Sequence, residues 1–256
     1  MVCTYGRPDK QITWDSLPKE IRLRACLVVQ DREAGKYPGL PTLVLPPTIK
    51  NLPDTRQWLR DNTGPKVVQL DDDLVFATRR ADVPTKFRPA MNIEIIKMFD
   101  AIEYALDSYA HVGVSHREGA NRNTEPYIQV GRMMRILGYR TDVLRKENIV
   151  HNRIPDMEDF DVTLQLLRKG YPNLILNNWV HNQGGSNTEG GCSDYRTMET
   201  HARDCHILAE KLHPGFVKAV EKTTKTSWGG TTRTDVRMSW KKAYESAGHM
   251  ALVPKL

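Results

Sequence analysis

The sequence predicts an α/β protein with a parallel, helix-covered sheet, on three observations. Short apolar runs alternate with polar helical stretches through the first third. Lys66–Leu70 (KVVQL) is apolar almost throughout, as a strand buried on both faces must be. Three downstream segments repeat apolar residues at spacings of three and four, the helical period. Strands alternating with helices imply parallel strands with helices packed on the faces.

Val2–Tyr5, Ala25–Gln30 and Thr42–Leu45 read as strands, the last embedded in a proline- and glycine-rich stretch, Gly35–Pro53. Asp54–Asn62 (DTRQWLRDN) reads as a helix with Asp54 as N-cap and Trp58 and Leu59 facing inward. Ile95, Phe99, Ile102, Leu106 and Tyr109 form one helical stripe. Tyr127, Val130, Met134 and Leu137 form a second, with Gly138 as its C-cap. Met198, Ala202, Cys205, Leu208 and Leu212 form a third, ending before Pro214. Such stripes are core faces. His111–Ser115, Arg140–Leu144 and Asn173–His181 read as further strands. There is no internal repeat, so residues 1–256 are expected to form a single domain.

The chain has 256 residues, 39% hydrophobic and 27% charged, which is a globular composition. Its apolar runs are only a few residues long, far short of the ~20 of a membrane helix, so no membrane association is expected. The start, MVCTYGRPDK, lacks a basic segment followed by an apolar one; a cytoplasmic location is expected. The four cysteines show no CxxC spacing and read as reduced thiols. Net charge is +6. From Arg196 to Leu256 there are 11 Lys or Arg against 6 Asp or Glu, so +5 of the surplus lies in the last quarter. A local positive field suits a polyanionic partner; a solvated helix surface is the plainer alternative.

The residues richest in chemistry are Asp71, Asp72 and Asp73, directly after the strand Lys66–Leu70. In open α/β sheets ligands bind beyond the carboxyl ends of strands. Adjacent carboxylates repel one another unless a cation neutralises them. Hard oxygen donors select Mg²⁺ or Mn²⁺, which one or two carboxylates hold together with substrate phosphates. Glu158 and Asp159 open a second helix, buried through Phe160, Leu164 and Leu167 and stopped by Gly170-Tyr171-Pro172. Acidic residues there serve as caps; beside a metal cluster, one becomes a candidate general base. Asn177–Gln183, followed by Gly184–Thr188, supplies polar side chains and close backbone approach for a ligand, and His181 could complete a metal shell. Walker A, GxSxG and GxGxxG patterns are absent.

A strand ending in an Asp cluster, an ED-opened helix and a strand ending in His resemble the layout of GT-A glycosyltransferases, a Rossmann-type mixed sheet flanked by helices. More narrowly, the chain resembles the phage family of TET-associated glycosyltransferases. The matching pieces are TRQWLRDN (Thr55–Asn62), QLDDDLVF (Gln69–Phe76), EDFDVTLQLLRKGYP (Glu158–Pro172) and NQGGSNTEGGCSDYRT (Asn182–Thr197). The resemblance implies a UDP-sugar donor, Mn²⁺ or Mg²⁺, and DNA carrying a hydroxymethylated pyrimidine, hydroxymethylcytosine first, as acceptor. It implies that Asp73 and His181 hold the metal and that Asp71 meets the donor's ribose, with Asp72 beside it. Thr4, Tyr5 and Arg7 would bind the nucleotide base, and Arg56 would face the diphosphate. Asp159, with neighbouring Glu158, would be the base of an inverting transfer. Residues 1–80 would then form the donor half, 81–195 the acceptor half with the catalytic helix, and 196–256 a basic, helical C-terminal segment. Arg117–Glu125 matches no pattern, and its position suggests an acceptor loop.

For contacts to DNA phosphates the candidates are Lys218, Lys222, Lys225, Arg233, Arg237, Lys241 and Lys242, the first three at helix-like spacing. Trp228 and Trp240 could stack on an exposed base. Two rival readings stand beside this one. A metal-dependent nuclease or nucleotidyltransferase could use the same Asp cluster on DNA. A non-enzymatic DNA-binding module could use the basic C-terminal segment, but it leaves the DDD and ED segments without a task.

Overall fold

The computed structural model describes residues 1–183, 196–223 and 232–248. The chain opens with strand β1 (Val2–Cys3), short helices α1 (Ile12–Ser16) and α2 (Lys19–Arg22), and strands β2 (Leu27–Val29) and β3 (Thr42–Val44). Helix α3 (Leu52–Asn62) and strand β4 (Lys66–Asp71) follow. The N-cap of α3 is Asn51, not Asp54: the Asn51 side chain accepts the Asp54 N–H at 2.8 Å, and Pro53 fits the first turn. Leu59 is fully buried, with Trp58 packed at the edge of the same cluster.

The second half adds β5 (Leu74–Arg79), β6 (Phe87–Pro89), α4 (Asn92–Ala105), β7 (His111–His116), the interrupted turn α5 (Arg117–Ala120), β8 (Tyr127–Gln129) and β9 (Ile136–Arg140). Helices α6 (Thr141–Lys146) and α7 (Glu158–Arg168) and strand β10 (Asn173–Gln183) complete the mixed α/β body. The sheet order is β3-β2-β1-β4-β9-β7-β10-β5-β6, with β8 also on β10. β1 pairs parallel to both β2 and β4, and β7 parallel to β10. β9 runs antiparallel between β4 and β7, so those two strands point the same way. The carboxyl ends of β1, β4, β7 and β10 therefore meet at one sheet edge. Strand order reverses between β1 and β4, the topological switch point where open sheets bind ligands.

Residues Tyr127–Leu137 are not the predicted helix. They form β8, a connection and the start of β9. Gly138 lies inside β9, where a Cβ would come 2.9 Å from the Val112 carbonyl and 3.0 Å from Ile102. The glycine is there for close packing of strand on strand and helix, not as a cap. The predicted strand Arg140–Leu144 is the end of β9 running into α6.

The C-terminal segment begins with helix α8 (Met198–His206), which continues as a π-helical turn over Ile207–Leu212. It is helical again at α9 (Trp240–Glu245). Between them lies an antiparallel ribbon of β11 (Val217–Thr223) and β12 (Thr232–Met238), so Lys218 and Lys222 sit on a strand and not a helix. Val217, Ala219, Val236 and Met238 face inward and join Phe160, Leu164, Leu167, Cys205 and Leu208 in one apolar cluster. That cluster anchors the ribbon to α7. Trp240 packs edge-on against Phe160, centroids 5.9 Å apart, and belongs to it. Lys225, Trp228 and Gly184–Thr188 fall outside the described residues. Among the described residues, no helix is long and apolar enough to cross a membrane, and Cys3, Cys26 and Cys205 are free thiols.

Candidate active site

The Asp cluster is the turn by which β4 leaves the sheet edge and becomes β5. Thr13 fixes that turn: its hydroxyl donates to the Asp71 carbonyl at 2.6 Å and accepts the Leu74 N–H at 2.8 Å. Asp72 turns back under β1. It accepts from the Thr4 hydroxyl at 2.6 Å and from Arg7 Nη1 at 2.6 Å. Gln11 in turn donates to Thr4 Oγ1 at 2.9 Å. Thr4, Arg7 and Asp72 are thus one buried tie across the switch point. Glu33, itself buried, accepts the Gly6 N–H and shapes the same loop. Tyr5 stays partly exposed there, with the Arg32 guanidinium 4.5 Å above its ring.

Arg56, on α3, is only 3% exposed and reaches two carboxylates. Nη2 lies 3.1 Å from Asp71 Oδ1, and Nη1 lies 2.7 Å from Glu158 Oε1. One guanidinium therefore joins the end of β4 to the start of α7. The family resemblance sets Arg56 at a diphosphate; in the structure it pairs with these two carboxylates. Burial pushes the Glu158 carboxyl up to about 7, Arg56 opposing it.

Helix α7 starts after Met157, a non-glycine residue held at φ 63 in the left-handed region. Such backbone costs about 1–3 kcal/mol and needs support from its surroundings. Asp156 provides it by accepting the Met157 N–H at 2.9 Å while gripping Arg196 and His201. Asp161 faces the other way, into a buried network with Arg153 and His213. Asp159 remains partly exposed. Its Oδ1 accepts the Phe160 N–H at 2.9 Å, and desolvation raises its pKa against Arg56 and Arg132.

Asp73 Oδ1 is buried and makes no hydrogen bond. Loss of solvent first, then Asp71 and Asp72, push its carboxyl up to about 6. His181, on β10, is fully buried, and neither ring nitrogen makes a hydrogen bond. Its ring lies 5.4 Å from His116, and burial holds its pKa well below the ordinary value. The imidazole is therefore neutral, the form that binds metals. The orphaned carboxylate oxygen is a donor of the kind that Mg²⁺ or Mn²⁺ prefers, and the orphaned imidazole is one of the kind softer transition metals prefer. Among the described residues, no three His, Cys, Asp or Glu side chains come together as a group that could hold a metal ion.

Two arginines at this edge escaped the sequence reading. Arg132 lies 4.9 Å over the Phe160 ring and close enough to Asp159 to interact with it. Arg135 interacts with Asp73, His116 and His181. Both lie in Tyr127–Leu137, whose spacing reads as a core helix and gives no sign of a site residue. Glu33 carried no sequence signal beyond being an isolated acid in a loop.

A family model described as TET-Associated Glycosyltransferase matches residues 1–191. The match spans Thr4, the Asp cluster, α7 and His181; the ribbon and α9 lie beyond it. Among solved structures, a crystal structure of S. aureus TarS 1-349 is similar, with a TM-score of 0.47 and 16% identity. The alignment covers 83% of this chain and 65% of that one, so this chain spans less than two thirds of the neighbour's length. At that score the likeness carries no assignment. No curated protein matches the sequence.

Proposed function

Because the chain belongs to the TET-associated glycosyltransferase family, we propose that it moves a hexosyl group from a UDP-sugar to a hydroxymethylated pyrimidine in DNA. The acceptor we favour is hydroxymethylcytosine. The observation that carries this reading is the Arg56 bridge between Asp71 and Glu158, which joins the Asp cluster to the start of the ED helix. A donor-binding and a base-bearing segment have to face each other for group transfer.

In this reading the half-exposed Tyr5 and the Thr4–Arg7 loop receive the nucleotide base. Asp73 and His181 would hold the divalent cation, whose positive charge would favour departure of the diphosphate. Asp159 is the general base. Desolvation raises its pKa, which makes it a stronger base than an exposed aspartate. The acceptor oxygen forms a bond to the anomeric carbon as the bond from that carbon to the phosphate oxygen breaks. The diphosphate leaves with the electron pair, the hydroxyl proton passes to Asp159, and the anomeric centre inverts. Glu158 acts through Arg56, holding the helix start against β4.

The outer face of the ribbon supports a polyanionic acceptor. Lys218 stands directly opposite Arg237, and Lys222 opposite Arg233. Like charges placed across a strand pair are unfavourable on their own. Asp235 relieves the second pair through contacts of 3.0 Å to both of its members. The first has no such relief among the described residues, and a phosphate backbone would provide it.

The reading is tested by incubating hydroxymethylated DNA with the protein, Mn²⁺ and a panel of nucleotide sugars, then weighing the released nucleosides by mass spectrometry. A mass gain of one hexose on the hydroxymethylpyrimidine supports it. Unmodified nucleosides across the whole panel, or cut DNA in place of glycosylated DNA, reject it.

A further inference from the structure

Arg135 carries an unusual combination of features for a residue without an assigned task. It sits at φ 66, a left-handed backbone for a side chain with a Cβ, and Val130 at the other end of the same connection sits at φ 58. The Arg135 carbonyl accepts the Asp71 N–H at 3.1 Å, so the strained residue is fastened to the first aspartate of the cluster. Its Nη1 is buried and makes no hydrogen bond, and among the described residues the side chain forms no ion pair. A buried guanidinium N–H without a partner is costly, and native structures retain few of them.

Asp73 Oδ1 is orphaned in the same way. The two groups have opposite charges and interact electrostatically, yet neither satisfies the other. This end of the sheet thus holds an unpartnered guanidinium nitrogen and an unpartnered carboxylate oxygen, the latter on a carboxylate whose other oxygen lies 3.5 Å from Arg7 Nη1. A ligand that completes both must carry a cation for Asp73 and anionic oxygens for Arg135. A diphosphate with its divalent cation is such a ligand. Of the other arginines here, Arg56 is engaged by Asp71 and Glu158, Arg7 by Asp72 and Asp73, and Arg132 lies over the Phe160 ring near Asp159.

We propose that Arg135 binds the diphosphate of the nucleotide donor, its Nη1 donating to an anionic phosphate oxygen beside the Asp73 site. This rests on the nucleotide-sugar reading above. The guanidinium also carries charge compensation for the leaving group, since negative charge grows on the same oxygens as the glycosidic bond breaks. The left-handed backbone is then the cost of bringing a long side chain into electrostatic reach of Asp73.

The test uses the full chain with Arg135→Gly and Arg135→Lys, titrated calorimetrically with UDP and with pyrophosphate in the presence of Mg²⁺. Glycine removes the side chain and relieves the backbone, so a purely structural arginine and a ligand-binding one behave differently. The expected result for Arg135→Gly is ~10–100-fold weaker binding of both ligands, the range for hydrogen bonds to charged groups, with an unchanged or higher Tm. Arg135→Lys should recover part of the affinity, because it keeps the charge and loses the fork. Wild-type affinity of Arg135→Gly for both ligands overturns the proposal alone. Weaker UDP binding with wild-type pyrophosphate binding also overturns it, since the contact would then be to the nucleoside. A wild-type protein that binds neither UDP nor pyrophosphate overturns the proposal together with the nucleotide-sugar reading.

Discussion

Arg56 Nη1 and Glu158 Oε1 lie 2.7 Å apart in the interior, between a helix of the first third of the chain and the start of α7. The same guanidinium holds Asp71. Removing one member of a buried ion pair leaves the other charge uncompensated, at about 3–5 kcal/mol. Arg56→Met should therefore lower stability by that order. Adding Glu158→Gln to it should recover a measurable part, because the stranded carboxylate is gone. Urea unfolding of both single variants and the double variant measures this, and strictly additive effects would contradict the coupling.

Asp159 should matter for turnover far more than for donor affinity. A general base acts in the transition state, so Asp159→Asn is expected to lower kcat ~10²–10⁴-fold with UDP affinity near wild type. Wild-type turnover combined with a lowered Tm would reduce Asp159 to a cap of α7. Retention of anomeric configuration in the product would also remove the base.

The contribution of His111 to stability should be lost as pH drops from about 6.5 towards 4. Burial lowers the pKa of His111 to about 4, and its Nδ1 is 3.0 Å from the Gly138 carbonyl. Its folded value lies below the unfolded one, so within that window the unfolded chain binds a proton that the folded chain refuses. Stability is therefore present above the unfolded pKa and lost on acidification, by about 3 kcal/mol for a shift of this size. His151 is shifted in the same direction. Glu158, pushed upward by burial, acts oppositely: its contribution is lost as pH rises from about 4.5 to about 7. The comparison that isolates His111 is wild type against His111→Gln in urea at pH 7, 5.5 and 4.5. Equal midpoint shifts in the two proteins would count against it.

The ribbon should carry salt-dependent affinity for DNA. Reversing Lys218 and Arg237 to Glu removes the cross-strand pair that has no acidic partner among the described residues. DNA affinity should weaken, and the slope of log affinity against log salt should become shallower by about 0.9 per lost phosphate contact on duplex. UDP affinity should not change. Unaltered DNA affinity and slope in the reversed variant would move the acceptor off this face.

The strands that border the switch point, Val2–Cys3, Leu27–Val29, Thr42–Val44 and Lys66–Asp71, were legible because each is a short apolar run between turn residues. So were α4 and α7, whose long stripes leave no competing period. The acidic residues at Asp71–Asp73 and Glu158–Asp159 announced chemistry by position alone, at the end of one apolar run and the start of another. Tyr127–Leu137 was misread because spacings of three and four also arise when two short strands and a connection bring apolar residues inward, and local sequence contains no record of which. The basic ribbon was misread for the same reason: Lys218 and Lys222 four apart fit a helix, and only the pairing with β12 fixes a period of two.

What tertiary structure alone decided is how charges are shared. Nothing local in the sequence separates the roles of Arg56 and Arg135. Packing buries Arg56 between Asp71 and Glu158 and leaves Arg135 Nη1 buried without a partner, in electrostatic reach of Asp73. Likewise, sequence offers Asp71, Asp72 and Asp73 as three equal carboxylates. The fold ties Asp72 to Thr4 and Arg7, gives Asp71 to Arg56, and leaves Asp73 Oδ1 unsatisfied. Composition fixes which charges exist; desolvation and the distance to a partner fix which of them stay available to a ligand, and both depend on residues far apart in the chain.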